Sequence, residues 1–267
     1  MLDRFLQDPR LRRAYGPLLA APAVRGGWRL VWREWSGERS VRQYRLRRSH
    51  LVAHLRHPYV DMWVLDEIFR RGIYAVPPEV ERALRALPRP LRVVDLGACV
   101  GLAGLFFETV LGDVSVIAFE PDATNRGVLE RTIAANHSQG RWTVVPACAG
   151  ARDGTVPFIS DHFLSRIDPD GASALAQPVP VVDVFPYLRD ADLVKMDVQG
   201  AEWDLLADPR WLELTVPAIV LEYHPRLAPS PDAGARARAR LTEAGYRTGP
   251  ARDEHAGEGT IWAWRPG

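Results

Sequence analysis

Lysine is almost missing from this chain of 267 residues: of its 34 Lys and Arg residues, Lys195 is the one lysine and the other 33 are arginine. Cysteine is equally scarce. Cys99 and Cys148 both fall inside apolar stretches, which excludes a disulfide framework and points to a reducing compartment, the cytoplasm. No apolar run approaches the ~18 residues of a membrane span, so no membrane partner is expected. The opening MLDRFLQDPRLRRAY carries charge throughout, unlike a signal peptide. A formal net charge of +1 excludes a polybasic or acidic tail. No Cys/His cluster has metal-ligand spacing and no metal is expected, although Asp197, Glu202 and Glu222 leave room for an oxygen-ligated ion. What remains is 47% hydrophobic and 25% charged, an ordinary globular composition large enough for a full core.

Residues 1–90 read as a mixed N-terminal extension of helices and a hairpin, and 91–267 as a strand–helix alternation that implies a mostly parallel sheet. In the extension, WRLVWREW and SVRQYRLR alternate about Ser36-Gly37-Glu38, which predicts that the two segments form the hairpin. Met62, Leu65, Ile68 and Phe69 have helical spacing in a segment ending at Gly72. Beyond residue 90, LRVVDL, VSVIAF, WTVVPACAG, ADLVKMD and PAIVLEYH read as successive strands, with helices over LAGLFFETVL, NRGVLERTIAANH and ARARARLTEAG. YRTG and TIWAWR predict an antiparallel pair at the sheet edge. Segment 150–178, rich in Gly and Pro and without a period, reads as a functional loop or insert.

The chemistry concentrates at strand ends. Asp95 closes the first strand and runs into Gly97-Ala98-Cys99-Val100-Gly101, a turn whose glycines let backbone approach a ligand. Glu120-Pro121 closes the second, where a carboxylate can accept both ribose hydroxyls of an adenosine group. The spacing is D-x-G-x-x-x-G rather than the G-x-G-x-x-G that seats a pyrophosphate, and an acid at that point suits a sulfonium or ammonium end instead. A nicotinamide oxidoreductase is further disfavoured because Ala191, not Tyr, stands four residues before Lys195.

These motifs, together with ADLVKMDVQGAE at 191–202, AIVLEYHP at 218–225 and LRHPYVDMWVLDEIFRRGIY at 55–74, resemble the FkbM-type methyltransferases of the class I S-adenosylmethionine-dependent fold. The resemblance covers about residues 50–265 and is most specific in the fourth-strand signature. It implies a Rossmann-like, seven-stranded, mostly parallel sheet with an antiparallel last strand, S-adenosylmethionine as cofactor, and methyl transfer most often to oxygen of a sugar or specialised metabolite. Transfer to a carboxylate or an amine, or a non-catalytic cofactor-binding role, are the alternatives. Cofactor contacts are then expected from Asp95, Gly97, Ala98, Gly101, Glu120 and Pro121, with Ala147 and Cys148 at the adenine and Tyr74 closing over the pocket. Gln199 departs from the family's usual Glu.

Methyl transfer is an in-line displacement, so the protein must align the reactants and take a proton from a hydroxyl acceptor. Lys195 and Asp197 are two apart and share a side of the fourth strand; they read as a catalytic pair or as an internal ion pair. His224, at the end of the fifth strand, is the first candidate base or a merely hydrogen-bonded strand terminus, with Glu222 placed to orient its ring or to serve as a satisfied structural carboxylate. His162 is the second choice.

One stretch stands outside this scheme. Arg25–Arg56 holds nine arginines against Glu34 and Glu38, interleaved with Trp28, Trp32, Trp35 and Tyr44. It predicts a basic face toward solvent and an aromatic face toward the core or a dimer partner, with a small anionic or carrier-tethered substrate as another occupant. Nucleic acid is disfavoured, since no RNA-binding module is present.

Overall fold

The apolar runs LRVVDL, VSVIAF, LVKM and AIVLEY carry only Arg92, Asp95, Lys195 and Glu222 as charges, and they become the buried parallel centre of a sheet. The computed structural model describes residues 9–265 apart from 59, 162–164, 169–170, 172, 226 and 256. The central strands are β3 (Leu91–Leu96), β4 (Val114–Phe119), β10 (Leu193–Met196) and β11 (Ala218–Tyr223). With β5 (Trp142–Val145), β12 (Arg247–Thr248) and β14 (Glu258–Trp264) they run in the order β12-β14-β11-β10-β3-β4-β5. All are parallel except β14, which is antiparallel to both neighbours. This is the expected seven-stranded Rossmann-like arrangement. A short β13 (Arg252–His255) pairs with the start of β14 as a small flap.

Helices follow the strands. α5 (Leu102–Leu111) is apolar nearly all round and is buried accordingly, and Gly104 lets it close on Trp142, whose ring lies 2.3 Å from where a Cβ would sit. α6 (Ala123–Ala135) starts on an Asp122 cap that accepts the Asn125 N–H at 2.8 Å.

The N-terminal extension shares one core with the sheet, in which Ala20, Leu46, Leu55 and Leu65 pack with Leu91, Leu193 and Trp262. It comprises α1 (Pro9–Ala20), α2 (Gly27–Ser36), the antiparallel pair β1 (Ser40–Arg45) and β2 (Val52–His57), α3 (Val60–Asp66) and α4 (Pro78–Arg85). α3 continues as a π-turn over Glu67–Arg71 and stops at Gly72, as its spacing predicts. The hairpin expectation is corrected. Residues 27–36 are a helix whose buried residues Leu30, Val31 and Glu34 recur at three- and four-residue steps, and SVRQYR pairs with VAHLRH instead. The alternation of WRLVWREW misleads because its indoles face solvent, not a core.

Segment 150–178 proves to be an insert. It is not a loop but most of a second sheet, in the order β6-β9-β7-β8, formed by β6 (Cys148–Gly150), β7 (Gly154–Ile159), β8 (Arg166–Ile167) and β9 (Gln177–Asp183). WTVVPACAG therefore divides at Pro146-Ala147, its first half ending the main sheet and its second opening the small one. Pro157, Pro178 and Pro180 hide these strands from a pattern reading. His162 lies outside the described residues.

Candidate active site

At the carboxyl edge of the sheet, the turns after β3 and β10 touch. Gly97 has φ +82°, and a Cβ there would stand 1.9 Å from the Asp197 carbonyl oxygen, so only glycine allows the approach. Lys195 is buried beneath this contact. Its Nζ donates to the Gly97 carbonyl at 2.6 Å and lies 3.1 Å from Asp95 Oδ1 and 3.7 Å from Asp197 Oδ2. Burial alone would push the lysine down, but the carboxylates of Asp95, Asp197 and Glu222 outweigh it and hold the ammonium above its ordinary range. Lys195 is thus a fixed cation and cannot accept a proton from an acceptor group.

Around this edge lies a cleft walled by Tyr74, Gly97, Ala98, Glu120, Pro121 and Cys148 among the expected cofactor residues, and by Lys195, Asp197, Gln199 and Glu222 among the chemical ones. Gly101 starts α5 and packs toward Leu129 and Trp142, and Ala147 is buried at the bend between β5 and β6; neither lines the cleft. Asp95 is fully buried and meets the site through Lys195. Phe158 and Ile167 add a wall from the small sheet that no sequence pattern announced.

Glu120 is buried, and its carboxylate receives three neutral donors: Cys99 N–H at 2.7 Å, Asp122 N–H at 2.8 Å and the Asn125 amide at 3.1 Å. Burial pushes it up to about 7 against those hydrogen bonds. Two oxygens offer about four acceptor positions, so acceptor capacity remains toward the cleft, as a vicinal diol requires. The extension supports this group: Arg56 donates to Asn125 Oδ1 at 2.7 Å and forms a buried ion pair with Asp61 at 2.5 Å.

The third cluster centres on His224, one residue beyond β11. Of the two readings of Glu222, the structure favours the structural carboxylate. Glu202, fully buried at the start of α7 (Glu202–Ala207), accepts the His224 backbone N–H at 2.7 Å and lies 3.1 Å from Nδ1, while Glu222 Oε1 is 4.0 Å from Nε2. Glu222 instead accepts the Tyr74 hydroxyl at 2.9 Å. Nε2 meets the Gln199 amide at 3.1 Å, and that amide donates to Asp197 Oδ1 at 3.0 Å, so Gln199 rather than the imidazole lines the cleft. Burial would lower the imidazole, yet Glu202, Asp197 and Glu222 together push it up to about 9. Burial and the nearby Asp197 push Glu222 up to about 8. The cluster therefore holds protons at neutral pH. Among the described residues Asp197, Glu222 and His224 also each present a ligand atom within 4.8 Å of the others, an N/O donor set able to take a divalent cation.

The profile of the methyltransferase FkbM domain matches residues 95–248, more than half of the chain. Among solved structures, an FkbM methyltransferase from Methylobacillus flagellatus is 16% identical with a TM-score of 0.48, covering 97% of this chain. This chain spans 61% of that protein's length. TYW2 of P. horikoshii in complex with MeSAdo is 14% identical over 85% of this chain and 71% of its own, with a TM-score of 0.44. TYW2 of M. jannaschii in complex with AdoMet is likewise 14% identical over 85% of each chain, with a TM-score of 0.43. No curated protein matches the chain.

Proposed function

The chain belongs to the FkbM methyltransferase family, and from that premise we propose that it transfers a methyl group from S-adenosylmethionine to a hydroxyl oxygen of a small cytoplasmic metabolite. The observation that carries this reading is Glu120: a buried carboxylate at the end of β4, at the wall of the cleft, satisfied by neutral donors and retaining acceptor capacity. A ribose diol supplies the missing donors. Bound S-adenosylmethionine would provide a methyl on a sulfonium, and the remaining work falls to this chain's side chains. Asp197 places a carboxylate at the cleft wall, which favours a cationic ligand. Lys195 fixes the turn of Gly97 against Asp197, and His224 with Asp197 supplies the proton acceptor that a neutral hydroxyl needs.

Calorimetric titration with S-adenosylhomocysteine tests the reading. Glu120→Ala is expected to raise the dissociation constant about 10- to 100-fold, the worth of one or two hydrogen bonds to a charged acceptor. In the unaltered protein affinity is expected to fall as pH drops below about 7, because the protonated acid loses acceptor strength. Absence of binding, or binding of NAD in its place, refutes the proposal.

The donor triad supports one second reading, a metal-assisted transfer. The proton-acceptor role of His224 predicts that dialysis against a chelator leaves turnover unchanged. Loss on chelation, restored by magnesium or manganese, would assign Asp197, Glu222 and His224 to an ion instead.

A further inference from the structure

Helix α2 puts its most hydrophobic side chains on the wrong side for a core. Trp28, Trp32 and Trp35 follow one another at four and three residues, so they form one stripe along the helix, and they are 68%, 62% and 58% exposed. The opposite stripe, Leu30, Val31 and Glu34, is buried, and Glu34 is pinned there by a 2.5 Å bond to His57. Helix α1 packs beside α2 and exposes Tyr15 and Leu18 as well. Five of the eight large exposed hydrophobics among the described residues thus fall within residues 15–35. Exposed apolar surface of this density marks a docking face.

Charge decides the occupant. Between residues 25 and 48 seven arginines are exposed, and the acids are few: Glu34 is buried, and Glu38 is engaged by Ser40 and Arg42. Three of these cations gather at the head of the stripe. Arg29 stacks on Trp28 at 5.3 Å, the Arg25 N–H bonds the Arg45 carbonyl at 2.8 Å, and Arg47 is fixed to the Pro22 and Val24 carbonyls at the head of the helix. A symmetric pairing of two copies through this face would set arginines against arginines, which disfavours self-association.

We infer that α2 and its arginine border form a peripheral membrane-binding surface, which lies flat on a bilayer carrying anionic lipid. Indole rings partition into the headgroup boundary, where an apolar body and an N–H donor are both satisfied, and guanidinium groups pair with lipid phosphates. Each arginine near an anionic surface adds attraction that salt screens. A helix of ten residues cannot span a bilayer, so this surface departs from the expectation of no membrane partner without requiring a span.

The test is vesicle co-sedimentation of the full chain. Partitioning is expected to be at least about tenfold greater onto phosphatidylcholine vesicles with about 30% phosphatidylglycerol than onto pure phosphatidylcholine, and to collapse in about 0.5 M salt. Replacing Trp28, Trp32 and Trp35 together with serine should cut it by about tenfold, and Arg25→Glu with Arg29→Glu should remove the preference for anionic lipid. All five positions are exposed, so the thermal midpoint should hold within a few degrees, and brominated lipid should quench fluorescence in the parent but not in the tryptophan variant. No partitioning at low salt, or partitioning unchanged by the tryptophan variant, overturns the inference. So does sedimentation velocity showing a dimer that this variant dissociates, or tighter binding to a single-stranded oligonucleotide than to the vesicles.

Discussion

His224→Ala is expected to lower turnover by about 10²- to 10⁴-fold, the range for a positioned proton acceptor, while the dissociation constant for S-adenosylhomocysteine stays within about twofold. The split follows from where the ring lies. It is held from behind by Glu202 and contributes nothing to the cleft wall, so its loss removes a proton acceptor without removing a ligand contact. Its Nε2 lies 3.8 Å from Asp197 Oδ1, the carboxylate at the cleft wall, so a proton taken up at Asp197 passes on to the ring. Because three carboxylates push the imidazole up to about 9, most of the protein carries imidazolium at pH 7. Turnover should therefore rise with pH through the range 7 to 9 and level off above, and the variant should lose that limb. The same shift fixes the sign of its contribution to stability. A histidine raised above its unfolded value stabilises the fold below about 6.5 and ceases to do so as pH climbs through about 9. Equal loss of turnover and affinity, or a profile that keeps its alkaline limb, would move the proton acceptor to Asp197.

The parallel sheet and the positions of Asp95, Glu120, Lys195, Asp197 and His224 were legible in the sequence because each rests on a local signal: an apolar run, then a polar residue where the strand stops. Partnerships were not. In the sequence Glu222 stands beside His224 while Glu202 is 22 residues away, and only the fold shows that Glu202, at the head of a helix, supports the ring while Glu222 turns to Tyr74. The Tyr74–Glu222 bond joins residues 148 apart, a distance no periodicity spans. The two misread segments failed for opposite reasons. In α2 large apolar residues face water, so alternation mimicked a strand, whereas in β7 and β9 proline and partial exposure erased the alternation a true strand would show.

Lys195→Met is expected to destabilise the fold by about 3–5 kcal/mol, as measured by urea or thermal unfolding, because it leaves a buried charge without its partner. Asp95 is fully enclosed and its carboxylate relies on the Lys195 ammonium at 3.1 Å. The same ammonium anchors the Gly97 carbonyl, so its loss also frees the turn that forms the floor of the cleft. Cofactor affinity should fall with stability. Asp95→Asn added to Lys195→Met removes the stranded charge and should recover a large part of the loss, and additivity of the two changes would show that the pair is not coupled. Lys195→Arg discriminates further. The ammonium meets Gly97, Asp95 and Asp197 from one tetrahedral centre, beneath the Tyr74 ring whose centroid is 6.0 Å from Nζ. A planar guanidinium is larger and forks its donors, so it cannot fill that position without displacing the ring or the turn. The arginine variant should therefore lose stability and turnover despite keeping its charge. Full retention would mean that this chain, which uses arginine at every other cationic position, keeps its one lysine for no structural reason.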